Sequence, residues 1–238
     1  MRKNLALCPA VLLVSLISVA FTIAAPEKVY GSAITEEPAA FIYTVQIHEE
    51  MSKFIAQLDM WPKAASSANL REYDASITVM YEDGTLIQYI ADLEIRYRAD
   101  SRWVQIDPAN PANFHFADYN QDGFLDMAVR HAPGGSMIND PHYFWLWDAE
   151  SEQFRRNYEL ETLSDGSSVS LAYDGNVRSF LRLTLGHYVQ ETYKYLDGIL
   201  TPYITRERKP FLSGGVSTYK TIITDHINET KSIMLEPF

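Results

Sequence analysis

The 238-residue chain has one cysteine, Cys8, and so can close no internal disulfide. Several catalytic patterns are also missing. There is no HExxH pair, no phosphate-binding Walker loop and no G-x-S-x-G elbow. Six histidines (His48, His115, His131, His142, His187 and His226) show no close metal-ligand spacing. Of these, His131 and His142 bracket a Pro-Gly loop and are candidates to meet in space, though ordinary surface or hydrogen-bonded histidines are the commoner case. Basic residues are few, 20 Lys and Arg against 31 Asp and Glu, for a net charge of −11. That balance argues against nucleic acid or an anionic membrane as partner, and suits cations or a basic protein as well as plain solubility.

One long apolar run is present, and it comes first. Arg2 and Lys3 precede an apolar stretch over residues 5–25, followed by the small residues Gly31, Ser32 and Ala33. This order fits a signal peptide over residues 1–33, cleaved after Ala33. The run is also long enough to serve as an uncleaved membrane anchor. The apolar residues mostly follow Cys8, which excludes a lipoprotein box. Residues 34–238 then form one exported domain, in the periplasm, at the cell surface or secreted. Lacking disulfides, that domain needs a sizeable core or another staple.

Residues 118–126 supply a candidate for the staple. Asp118, Asn120, Asp122 and Asp126 place side-chain oxygens at loop positions 1, 3, 5 and 9, with Gly123 at position 6. Ca²⁺ takes six to eight oxygen ligands, and alternate residues of a tight loop can turn theirs inward. Asp118, Asn120, Asp122 and Asp126 are therefore the candidate metal ligands, with Phe124 contributing its carbonyl. The spacing follows the EF-hand signature through position 9 and then departs from it, because position 12 is Val129. A solvated acidic turn is the plainer alternative. Ca²⁺ held this way is expected to stabilise the fold and take no part in catalysis.

The flanks of the loop read as strands, as does most of the remaining chain. Residues 41–47 are β-branched and aromatic; residues 77–81 and 86–90 flank an Asp83-Gly84 turn and predict a hairpin. Residues 93–97 and 103–106 predict a further pair. Residues 142–147 are apolar on both alternating faces, as in a central strand covered on both sides. Asp174-Gly175 and Asp197-Gly198 punctuate strands over 177–185, 189–196 and 199–205, with a last strand over 219–223. Met51, Phe54, Ile55 and Leu58 fall at helical spacing and predict one short helix. The expected fold is mainly β, a single antiparallel sandwich-like domain around a β-flanked calcium loop. The loop motif occurs once, which excludes a calcium-repeat solenoid.

Calcium loops between strands are similar to those of FG-GAP-type repeats. A larger order, Phe116 to Asp126, a Gly-containing loop, Tyr143 to Asp148, Gln153 to Asn157 and Glu159-Leu160, resembles a family of exported bacterial calcium-loop proteins. That family is related to immunity proteins for peptidoglycan-degrading toxins, and some members are similar in fold to periplasmic lysozyme inhibitors. The resemblance implies a sandwich-like domain, one Ca²⁺ and inhibition of a muramidase by plugging its cleft. The partner would then be a basic peptidoglycan hydrolase, with no nucleic acid bound and no membrane contact beyond the leader. Residues 131–141 are the candidate inhibitory loop. A glycan- or protein-binding adhesion module is the alternative. A glycosidase ranks last, because Glu49/Glu50 and Glu82/Asp83 are adjacent acids and do not face one bond. Tyr143, Trp145 and Trp147 share a strand face and could stack on sugar, but a core stripe is the expected role.

Overall fold

The computed structural model describes residues 38–63, 70–98, 114–133 and 141–237. The expected leader over residues 1–33, residues 103–106 and residues 134–140 of the candidate loop lie outside them. The described residues form three antiparallel sheets and one helix.

The first sheet is a meander of β1 (Ala39–Val45), β2 (Phe54–Pro62), β3 (Leu70–Tyr81) and β4 (Leu86–Arg98), in that order. Strict alternation builds its inner face: Phe54, Ala56, Leu58 and Met60 are buried while their neighbours are not. This corrects the helix expected over residues 51–58. The i, i+3, i+4 spacing of Met51, Phe54 and Ile55 was coincidental, and the period-2 pattern extending through Met60 decides the structure. The Asp83-Gly84 hairpin forms as expected; Gly84 takes a φ of +86° and Asp83 Oδ1 accepts from Thr85 N.

The second sheet comprises β5 (His115–Ala117), β6 (Asp126–Arg130), β7 (His142–Asp148) and β8 (Gln153–Arg156). It is covered on both faces. Met127, Val129, Trp145 and Trp147 join the inner face of the first sheet in one core. Ala128 and Phe144 belong to a second core with Tyr119, Leu160 and Val177. The unbroken apolar run of β7 follows from this double cover, and Trp145 and Trp147 are core residues. At the edge, Gln88 substitutes for a strand, donating to Phe154 O at 2.9 Å and accepting from Phe154 N at 2.8 Å.

Helix α1 (Tyr158–Gly166) closes the second core through Leu160 and Leu163. Asn157 caps it, its side-chain oxygen accepting from Leu160 N at 2.9 Å. The third sheet is a six-stranded meander: β9 (Ser168–Leu171), β10 (Val177–Thr184), β11 (His187–Leu196), β12 (Ile199–Ser213), β13 (Val216–Asp225) and β14 (Thr230–Pro237). Its residues in the second core (Val169, Leu171, Val177, Tyr193, Tyr195 and Leu200) come from one end only. Exposed apolar residues accumulate beyond that end, including Leu185, Leu212, Val216 and Leu235.

Candidate functional site

The loop over residues 118–126 runs from β5 into β6, so its flanks are strands. Its oxygens are drawn inward by the loop's own amides. Asp122 N donates to Asp118 Oδ1 at 3.2 Å and to Asn120 Oδ1 at 3.1 Å, which brings those two oxygens to one point. Gly123 N donates to Asp118 Oδ2 at 3.0 Å, and Phe124 N to Asp122 Oδ1 at 2.9 Å. Gln121 and Gly123 both adopt positive φ, +61° and +92°. The reversal at Gly123 is one that a Cβ disfavours.

Asp126 behaves differently. It is fully buried, and both oxygens accept backbone amides: Oδ2 from Tyr119 N at 2.7 Å and Oδ1 from Trp147 N at 2.9 Å. Burial pushes its carboxyl up to about 8, against the lowering effect of those two amides. Burial also raises the Asp118 carboxyl, and the nearby Asp122 charge adds to it. A cation would relieve both shifts by favouring the ionised forms.

The donor set suits a hard cation: Asp118 and Asn120 side-chain oxygens share the Asp122 amide, the Asp122 carboxylate lies beside Asn120, and Phe124 follows at the position that gives a carbonyl. Asp126 differs in burial: its two amide contacts lie in the interior, whereas those of the other three lie at the surface. That role is compatible with position 9 of such loops, which often acts through water. Among the described residues no three His, Cys, Asp or Glu side chains gather as a metal-holding group, so the fit depends on Asn120 and a main-chain oxygen.

What the sequence does not reveal is where this loop sits. Leu125 N donates to Ile47 O at 2.8 Å, just past the end of β1. Gln121 Nε2 donates to Asn176 Oδ1 at 3.2 Å, in the turn before β10. Tyr119 packs edge-on against Phe144 in the second core, with ring centroids 5.1 Å apart. The loop therefore touches all three sheets.

The remaining candidates separate. His131 stacks on Tyr143 at 4.3 Å and lies 3.6 Å from Asp165, whereas His142 meets His115 edge-on at 5.5 Å. The backbone closes the candidate inhibitory loop, His131 N donating to Pro141 O at 3.0 Å. Glu49, Glu50, Glu82 and Asp83 are all exposed turn acids. A groove of about 400 Å³ between α1 and the third sheet, with Leu163, Leu181, Val189 and Leu200 among its walls, was not foreseen from sequence. Its walls come from four separate elements, so only the tertiary fold assembles it.

Fold and site together define a class: a mainly-β, all-antiparallel domain with an acidic oxygen-donor loop between strands. No family model matches the chain, and no curated protein matches it. It is similar to the solved structure of a Xanthomonas type IV secretion system related protein. The TM-score is 0.52 at 13% identity, over 82% of this chain and 99% of that one, which is a likeness of fold.

Proposed function

We propose that this chain is an exported, calcium-stapled β protein that inhibits a cell-wall hydrolase. The observation that carries the reading is the 118–126 loop, whose converging oxygens lie where three sheets meet. A cation held by Asp118, Asn120, Asp122 and the Phe124 carbonyl, with Asp126 holding the loop's backbone, would stiffen that junction. It would supply only Coulombic cohesion there. The sandwich-like packing expected from the sequence agrees with the core shared by the first two sheets. The same order of loop, double-faced strand and return strand prompts the resemblance to immunity proteins for peptidoglycan-degrading toxins. The likeness to a secretion-system-related protein suits an envelope or exported location. Inhibition would be steric, with residues 131–141 entering the enzyme cleft while the acidic surface speeds encounter with a basic partner.

The test is the clearing of a peptidoglycan suspension by a panel of muramidases, with and without the protein in Ca²⁺. Slower clearing that requires Ca²⁺ is expected with at least one member. Equal clearing across the panel would remove the inhibitor reading, and clearing by the protein alone would make it a hydrolase.

A further inference from the structure

The third sheet differs electrostatically from the rest of the chain. The net charge is −11, yet residues 176–190 and 208–224 contain no Asp or Glu. They carry Arg178, Arg182, Arg208, Lys209 and Lys220. These segments build the β10–β11 and β12–β13 hairpins, whose turns at Leu185-Gly186 and Gly214-Gly215 point the same way in the meander. Register places Tyr188 opposite Arg208, so β12 runs on to Ser213, past the start of β11 at His187.

Turns are normally polar, but these two are not. Leu185 is 84% exposed, Leu212 67% and Val216 63%. Cations stand just behind them on both faces of the sheet. Arg182 and Arg208 share one face, each the register partner of Tyr188. Lys209 and Lys220 are partners on the other. Arg208 lies 3.7 Å from the Tyr219 ring centroid and 3.2 Å from Glu236, and Lys209 pairs with Glu207 at 3.0 Å. Arg182 and Lys220 form no ion pair among the described residues, which leaves this end of the sheet net positive. Tyr219 in turn packs over Gly186, where an added Cβ would come within 2.9 Å of the ring, so the two hairpins are locked side by side.

We infer that this end of the third sheet docks on an anionic lipid bilayer. Leu185, Leu212 and Val216 enter the boundary between headgroups and acyl chains, and Arg182 and Lys220, one on each face, meet the lipid phosphates. Shape favours a bilayer over a protein partner. The apolar residues sit on projecting tips, and a rigid surface could reach the cations on only one face. A fluid bilayer closes around both. The overall acidity does not oppose this, since charges more than about 8 Å away are screened at physiological salt. Each cation close to an anionic surface raises affinity about fivefold.

The test reads the tip directly, so attachment through the apolar leader cannot imitate it. The full chain, with Cys8→Ser, receives an environment-sensitive fluorophore at Val216→Cys, or at Tyr173→Cys in the turn at the opposite end. Vesicles of phosphatidylcholine with phosphatidylglycerol should brighten and blue-shift the Val216 probe and leave the Tyr173 probe unchanged. Added salt or the Arg182→Glu/Lys220→Glu double substitution should suppress the response. If the Val216 probe stays as unresponsive as the Tyr173 probe, the docking proposal is overturned. Equal responses to pure phosphatidylcholine would overturn its anionic specificity. A blue shift that grows with protein concentration and needs no vesicles would instead assign the tips to a second copy of the chain.

Discussion

Asp126 and Asp122 lie four residues apart in one loop and do different work. Asp126 is a buried bridge between Tyr119 N and Trp147 N. Asp126→Ala would leave two interior donors without acceptors, at about 1–3 kcal/mol each. Urea unfolding in the presence of chelator should reveal that loss with no metal involved. Asp122 accepts from Phe124 N and from Asn120 Nδ2 at the surface. Asp122→Ala should cut calorimetric Ca²⁺ affinity while changing the chelator-state stability little, and an unaltered affinity would refute its assignment as a ligand. His131 gives a pH signature. Burial lowers its proton affinity, and neighbouring Arg156 and Arg96 act the same way, outweighing the opposing pull of Asp165 and Glu161. The unfolded chain then binds the proton more readily, so His131 contributes stability above about pH 6.5 that is lost as pH falls through its lower folded value. The drop in urea midpoint between about pH 7.5 and about pH 5.5 should be smaller for His131→Gln than for the parent protein.

Among the elements, α1 is small but positioned to matter, since Leu160 closes the second core that Tyr119 of the 118–126 loop also enters. Asn157→Ala should cost about 1 kcal/mol, seen as a lower Tm. This helix also marks the limit of what the sequence reveals. Its signals are a capping Asn157, first-turn acids Glu159 and Glu161, and Leu160 and Leu163 three apart. That pattern is weaker than the accidental helical spacing at residues 51–58, which β2 overrides through alternate burial. Strands with clear alternation or flanking Asp-Gly turns were legible, as was the double cover of β7. Strand β14 was not, because Ile233, Met234 and Leu235 are consecutive and all exposed, so no face is marked. The loop's donor residues could be read directly, but its position among the three sheets could not. That depends on long-range partners such as Ile47 and Asn176, which no local pattern encodes.

At the scale of the whole molecule, a cation at the junction would add to the two cores that already join the three sheets. If only the folded state binds Ca²⁺, saturation at about a hundred times Kd adds roughly 2.7 kcal/mol. The melting transition should therefore rise with Ca²⁺ and fall with chelator, and identical curves would exclude the staple. The sheets are also unequally protected. The first two enclose a common core, whereas strands β12 to β14 extend away from the second core with side chains mostly half-buried or exposed on both faces. Hydrogen bonds in such a single layer can break a few at a time without opening the main core. Deuterium should accordingly enter the amides of β13 and β14 through small local openings, well before those of β3 and β7, which await global unfolding. The same chain would then keep two clocks, one for its anchored half and one for its outlying ribbon.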